Sequence, residues 1–142
     1  MNFLDANNQW TPEFLEHIQK SAKSSIKLTL TKEAATLTDS KVGGKPWLPP
    51  QMPYPQDEDG NDYLFLAQIN WAQMPQLDGY PASGLTSYFF KEDDTFGLMD
   101  LEGDNYDYYV SWGDSGVGNF FIRREDMLRL DFSKVSYTWD CL

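Results

Sequence analysis

Cysteine and histidine are all but missing from this chain, with Cys141 and His17 the sole examples among 142 residues. One cysteine allows no intrachain disulfide and no multi-cysteine metal site, and two such residues cannot furnish a zinc centre. Nucleophilic catalysis of the Ser-His or Cys-His kind would have to use His17, placed off the apolar stripe of a surface helix, or a thiol one residue from the C-terminus. Long hydrophobic runs are missing too, since nothing approaches the ~18 apolar residues of a membrane span. The first residues, MNFLDANNQW, carry neither the basic n-region nor the apolar core of a secretion signal. These absences predict a soluble, cytoplasmic protein without membrane contact.

Positive charge is scarce where it would matter for nucleic acid. Net charge is -11, and residues 46 to 118 set a single lysine against thirteen acids, whereas the flanking segments are close to neutral. Such a surface repels phosphate backbones and anionic lipid and speeds encounter with a basic protein partner. A merely solvated acidic face is the competing reading.

What the chain has is aromatic and apolar mass, 15% and 41% of its residues, in one domain's length. That composition favours strands packed in a single domain spanning residues 1–142. Thr11-Pro12-Glu13 starts a helix, with Phe14, Ile18 and Ala22 as an inward stripe to about residue 24. Ile26 to Thr31 alternates apolar and polar, the pattern of a half-buried strand, and Ala34 to Thr38 could be a helical turn or a second short strand. Ser40 to Asn70 is the dominant stretch, about twenty residues of Gly- and Pro-rich chain leading into an apolar strand from Tyr63 to Ile69. Ordering so much irregular backbone costs entropy, so anchors are needed, and Trp47, Leu48, Met52, Tyr54 and Leu64 are the candidates. Gln68 and Asn70 need partners if buried. Trp71 to Pro75 holds at most one helical turn. Further strands are predicted over Leu85–Phe90, Phe96–Leu101, Tyr106–Trp112, Val117–Ile122 and Lys134–Cys141, with a short helix over Arg124–Arg129 and a hairpin turn at Gly113–Gly116. The fold class is α+β: a β-rich domain with mixed or antiparallel sheet, an N-terminal helix and a long Pro/Gly-rich loop.

No motif selects a reaction. Asp57, Asp59 and Asn61 have the spacing of calcium ligands, but Asp62 stands where an EF-hand loop needs Gly and Gln68 where it needs Glu. Asp100, Glu102 and Asp104 share that weakness. Gly113 to Gly118 lacks the lysine of a phosphate-binding loop. With 22 acids, carboxylate pairs for sugar chemistry can always be drawn, and nothing in the spacing selects one. The sequence therefore predicts no catalytic residue, no metal and no cofactor.

Two blocks carry a family resemblance. Ser40-Lys41-Val42-Gly43-Gly44-Lys45-Pro46, Phe65-Leu66-Ala67-Gln68-Ile69-Asn70 and Phe89-Phe90 resemble the first half of the YwqG-like family of bacterial proteins. Trp112-Gly113-Asp114-Ser115-Gly116 and Asp131-Phe132-Ser133-Lys134-Val135 through Cys141 resemble its C-terminal end. Members are longer between these blocks, so this chain resembles a shortened version whose sheet edges need covering by a loop, a second copy or a partner's strand. The resemblance implies no catalytic set; some relatives resemble immunity proteins encoded beside bacterial toxins. The expectation is thus a non-enzymatic immunity protein that occludes a basic toxin domain through Asp57, Glu58, Asp59, Asp62, Glu92, Asp93, Asp94 and Asp104. The alternative is a small-ligand or carbohydrate-binding domain, or an enzyme of unrecognised kind. Its pocket would lie under the Gly44–Tyr54 loop, lined by Trp47, Gln68, Asn70, Trp112 and Asp114. The loop itself is expected to wrap the sheet near the Trp-Gly-Asp and Asp-Phe-Ser blocks, leaving its acidic tip for contact.

Overall fold

The computed structural model of the protein describes residues 10–91, 96–98, 110–112 and 116–140. Its centre is β2 (Leu64–Asn70), flanked by β1 (Lys41–Val42) and β3 (Leu85–Phe90) in an antiparallel sheet of order β1-β2-β3. The run Leu64-Phe65-Leu66-Ala67 gives β2 apolar side chains for both faces, as a central strand requires. The β2–β3 ladder shifts register between Phe65 and Ala67, a bulge that changes which side chains share a face beyond it. Two further antiparallel pairs complete the strands: β4 (Phe96–Leu98) with β5 (Val110–Trp112), and β6 (Val117–Phe121) with β7 (Ser136–Asp140). The architecture is α+β, with every described pairing antiparallel.

Adjacent residues of β3 face opposite ways, and each face meets aromatic rings. Phe89 packs against Phe65 opposite it at 5.5 Å and edge-on to Tyr54 at 5.6 Å. Tyr88 and Phe90 meet the β6–β7 pair: Tyr88 to Phe120 at 5.0 Å, Phe90 to Phe120 at 5.4 Å and Phe90 to Tyr137 at 5.1 Å. Edge-to-face geometry of this kind adds to simple burial. Trp112 joins the seam, its indole N–H donating to the Tyr137 hydroxyl at 2.6 Å, and the ring lies where a side chain on Gly118 would go. Among the described residues, Phe65, Leu66, Trp71 and Met127 are the buried large apolar ones.

α2 (Arg124–Leu128) and a 3₁₀ turn (Phe132–Lys134) connect β6 to β7. The N–H of Leu130 donates to Met127 O and that of Asp131 to Asp126 O, a two-bond helix stop that places Leu130 at φ 55°. Arg124 reaches back over Gly79 to Asp78 at 2.8 Å, tying α2 to the loop after β2.

Several expectations need correction. α1 (Pro12–Ser21) starts as predicted, with the Thr11 hydroxyl accepting from the Phe14 N–H, but no residue of it is buried; Phe14 stacks instead on Trp10 at 4.7 Å. Its stripe describes what the helix offers, and no described element receives it. Ile26–Thr31 joins no sheet, and residues 37 to 39 form a turn rather than a second strand. Between β5 and β6 the described pairing is one antiparallel bridge, Trp112 to Gly116, and residues 113–115 of the expected turn lie outside the described ones. The predicted strand ends at Met99–Leu101, Tyr106–Tyr109 and Cys141 lie outside them as well. β1 and the 3₁₀ turn at Phe132–Lys134 were not expected and α1 ends three residues early, whereas β2, β3, β6, α2 and β7 agree within one or two residues, the usual uncertainty of element ends.

Candidate functional site

The acidic turn after the proline-rich loop is a tight, self-supported hairpin. Gln56 bridges to Asp62, Asp57 N–H donates to Asn61 O at 2.9 Å, and Tyr63 N–H donates to Pro55 O at 3.0 Å. Asp57 organises it. Its Oδ1 accepts from the N–H groups of Asp59 (3.0 Å) and Asn61 (2.9 Å), while Oδ2 accepts from the Asn61 side chain and pairs with Lys91 at 3.2 Å. These bonds, that from the Asn61 N–H foremost, hold its carboxyl down at about 2 against the opposing effect of burial. With only 5% of its side chain exposed, Asp57 is spent on its own turn. Glu58, Asp59 and Asp62 stand exposed around it, Asp62 also accepting from the Gln56 amide at 2.8 Å. The calcium-like spacing is therefore that of an Asx turn, and among the described residues no three His, Cys, Asp or Glu could share a metal ion.

The expected ligand-facing amides point elsewhere. Gln68 is 1% exposed, and its side chain makes three bonds: Oε1 accepts from Trp47 N–H at 3.0 Å, and Nε2 donates to Leu37 O at 2.9 Å and Asp39 O at 2.7 Å. Asn70 donates to Thr38 O at 3.0 Å, and its Oδ1 caps the 3₁₀ turn Trp71–Gln73 through Ala72 N–H. Its own N–H goes to the Ser40 hydroxyl at 2.9 Å. Gln73 closes the network, accepting from Ser40 N–H and donating to Asp39 Oδ1. Bonds from the hydroxyl and N–H of Thr36, then from Gln73, hold the Asp39 carboxyl below its ordinary value. Trp47, Gln68 and Asn70 thus pin the loop and the 37–40 segment to β2. Docking against the Trp-Gly-Asp and Asp-Phe-Ser blocks is not among the loop's described anchors. Asp39, Ser40 and Gln73 carried no sequence signal, because the bonds that join them to one another and to Asn70 span some thirty residues and leave no local motif.

Three concavities are described; one touches Gly44 and Lys45 at the start of the Gly44–Tyr54 loop, and Trp47, Gln68 and Asn70 line none of the three. An open groove of about 1090 Å³ runs between residues 23–29 and 73–80, with Lys23, Lys27 and Arg124 on its rim. An apolar recess of about 260 Å³ floored by Ile69, Trp71 and Tyr88 adjoins it. Trp71 is fixed there by its indole N–H on the Thr86 hydroxyl at 2.8 Å and by contact with Tyr80, and burial pushes the Tyr88 phenol up. A second groove of about 510 Å³ separates residues 29–35 from β1 and Gly43–Lys45. Of the other predicted residues, Trp112 belongs to the aromatic seam and His17 is exposed on α1. Glu92, Asp93, Asp94, Asp104, Asp114 and Cys141 lie outside the described residues.

Among the described residues no helix is long and apolar enough to cross a membrane. No curated protein matches the sequence. Residues 40–104 and 91–141, which between them carry Gln68 and Asn70, the acidic hairpin and the aromatic seam, both match the profile of a domain of unknown function (DUF1963), and the chain belongs to that family.

Proposed function

We propose that this protein is a non-enzymatic, cytoplasmic interaction protein that binds a basic protein partner through its acidic hairpin. The observation that supports this reading is the division of labour within the turn. Asp57 faces inward and fixes the backbone, so Glu58, Asp59 and Asp62 are presented on a preorganised support. Preorganised charge steers encounter and sets register at little ordering cost. The -12 balance of residues 46 to 118 extends that field beyond the hairpin. The finer reading, a shortened YwqG-like immunity protein that occludes a cognate toxin, adds only the resemblance of Ser40–Leu101 and Trp112–Cys141 to that family.

The test is stopped-flow association with the product of the adjacent gene, over a salt series. A Glu58→Gln, Asp59→Asn, Asp62→Asn triple variant should associate about tenfold more slowly at low salt and converge with the parent at high salt. Equal rates at every salt concentration, or no binding by the parent, would end the proposal. The groove beside Tyr80 supports a second reading, a small-ligand site. Absence of any thermal shift across a sugar and nucleotide panel counts against it.

A further inference from the structure

Residues 24–35 are the least integrated part of the described chain: none of their backbone groups has a protein hydrogen-bond partner. They are nevertheless patterned: as a strand they would carry Ser24, Ile26, Leu28, Leu30 and Lys32 on one face and Lys23, Ser25, Lys27, Thr29, Thr31 and Glu33 on the other. Leu28 and Leu30 are 55% and 56% exposed. Open grooves border it in succession, residues 23–29 facing Gln73–Tyr80 and residues 29–35 facing β1. An unpaired edge with an apolar face is a template for another strand.

We propose that Ile26–Thr31 is the self-pairing strand of a two-fold dimer, joined antiparallel to the same segment of a second copy. One register satisfies both faces. With Leu28 on the axis opposite Leu28 of the second copy, Ile26 meets Leu30, Lys27 meets Thr29, Ser25 meets Thr31, and Lys23 meets Glu33. Every apolar side chain then faces an apolar one, and symmetry gives two Lys23–Glu33 pairs at the ends of the ribbon. Sliding by two residues either sets Lys27 against Lys27 or sets Ile26 against Lys32. Sliding by one places each apolar side chain opposite a polar one. A second copy is the occupant that this match identifies, since a strand of unrelated sequence would have no reason to complement both ends. A two-stranded ribbon alone is marginal, so the dimer is concentration-dependent.

Sedimentation velocity over a wide concentration series reads the equilibrium, with circular dichroism to check folding of each variant. Lys23→Glu and Glu33→Lys should each weaken dimerisation about tenfold or more, because each creates two like-charge contacts by symmetry. The double variant K23E/E33K should restore it. Hydrogen exchange supplies an independent readout: protection of amides within residues 26–31 should rise with protein concentration in the parent. A parent that stays monomeric, a dimer indifferent to both reversals, or a double variant as weak as the singles overturns the proposal.

Discussion

Gln68 offers the most demanding test of how this fold is held. Its side chain joins β2 to Trp47 on one side and to the carbonyls of Leu37 and Asp39 on the other, at 1% exposure. Gln68→Leu keeps most of the volume and removes all three bonds, stranding one N–H and two carbonyls. A net hydrogen bond is worth about 1 kcal/mol and a stranded buried group costs about 1–3 kcal/mol, so the variant should lose about 3–5 kcal/mol after some rehydration. Against a stability of about 5–15 kcal/mol for an ordinary domain, that is a large fraction. Gln68→Glu sharpens the argument, because a carboxylate can still accept from Trp47 N–H but must oppose two carbonyl oxygens. Its folded pKa should be raised, and protonation would return a donor to one of them. A raised folded pKa contributes stability that is present below the unfolded value of about 4.3 and is lost as pH rises toward the folded value, at about 1.4 kcal/mol per pH unit. Urea titrations followed by tryptophan fluorescence across pH 4 to 8 would measure both effects. If Gln68→Leu costs under about 1 kcal/mol, or if Gln68→Glu and the parent run parallel across that range, the hub described here does not hold the loop.

Two further outcomes follow from local geometry. Leu130 sits at φ 55° in the helix stop and is 60% exposed, so Leu130→Gly should stabilise the protein by about 1 kcal/mol, seen as a higher urea midpoint at unchanged slope; a lower midpoint would mean that its side chain matters more than its strain. Asp57 and Asp39 both have depressed carboxyl pKa values, so their contribution is full above the ordinary 3.8 and is lost as pH falls through the folded values, which for Asp57 is about 2. The urea midpoint should therefore drop between pH 4 and 2, and Asp57→Asn should flatten that drop; an equal drop in the variant refutes the assignment.

Strands that carry their own apolar mass were legible from sequence. Leu85–Phe90 emerges with the predicted ends, and β2, β6 and β7 shift by one or two residues. Patterns that depend on a receiving surface were not. The alternation of Ile26 to Thr31 and the stripe of Phe14 and Ile18 state what each segment offers, and neither finds a described neighbour that buries it. The site was legible only as residue types. Gln68 and Asn70 stood out as polar groups needing partners, but those partners are backbone carbonyls some thirty residues upstream, which carry no side-chain signature. Asp57 was grouped with its acidic neighbours because spacing cannot distinguish a carboxylate turned onto its own loop from one turned to solvent. Leu130 gave no warning, since the position it holds is one that glycine usually marks.

The aromatic seam carries an evolutionary consequence. Rings from Tyr88 and Phe90 meet Phe120 and Tyr137, and each side of that joint already belongs to its own ladder. A joint of ring edges has no register to preserve. Chain can be inserted or removed between Lys91 and Trp112 without uncoupling a hydrogen bond within the β1-β2-β3 sheet or the β6–β7 pair. Length variation between Leu98 and Val110 would spare both of those ladders and the β4–β5 pair as well.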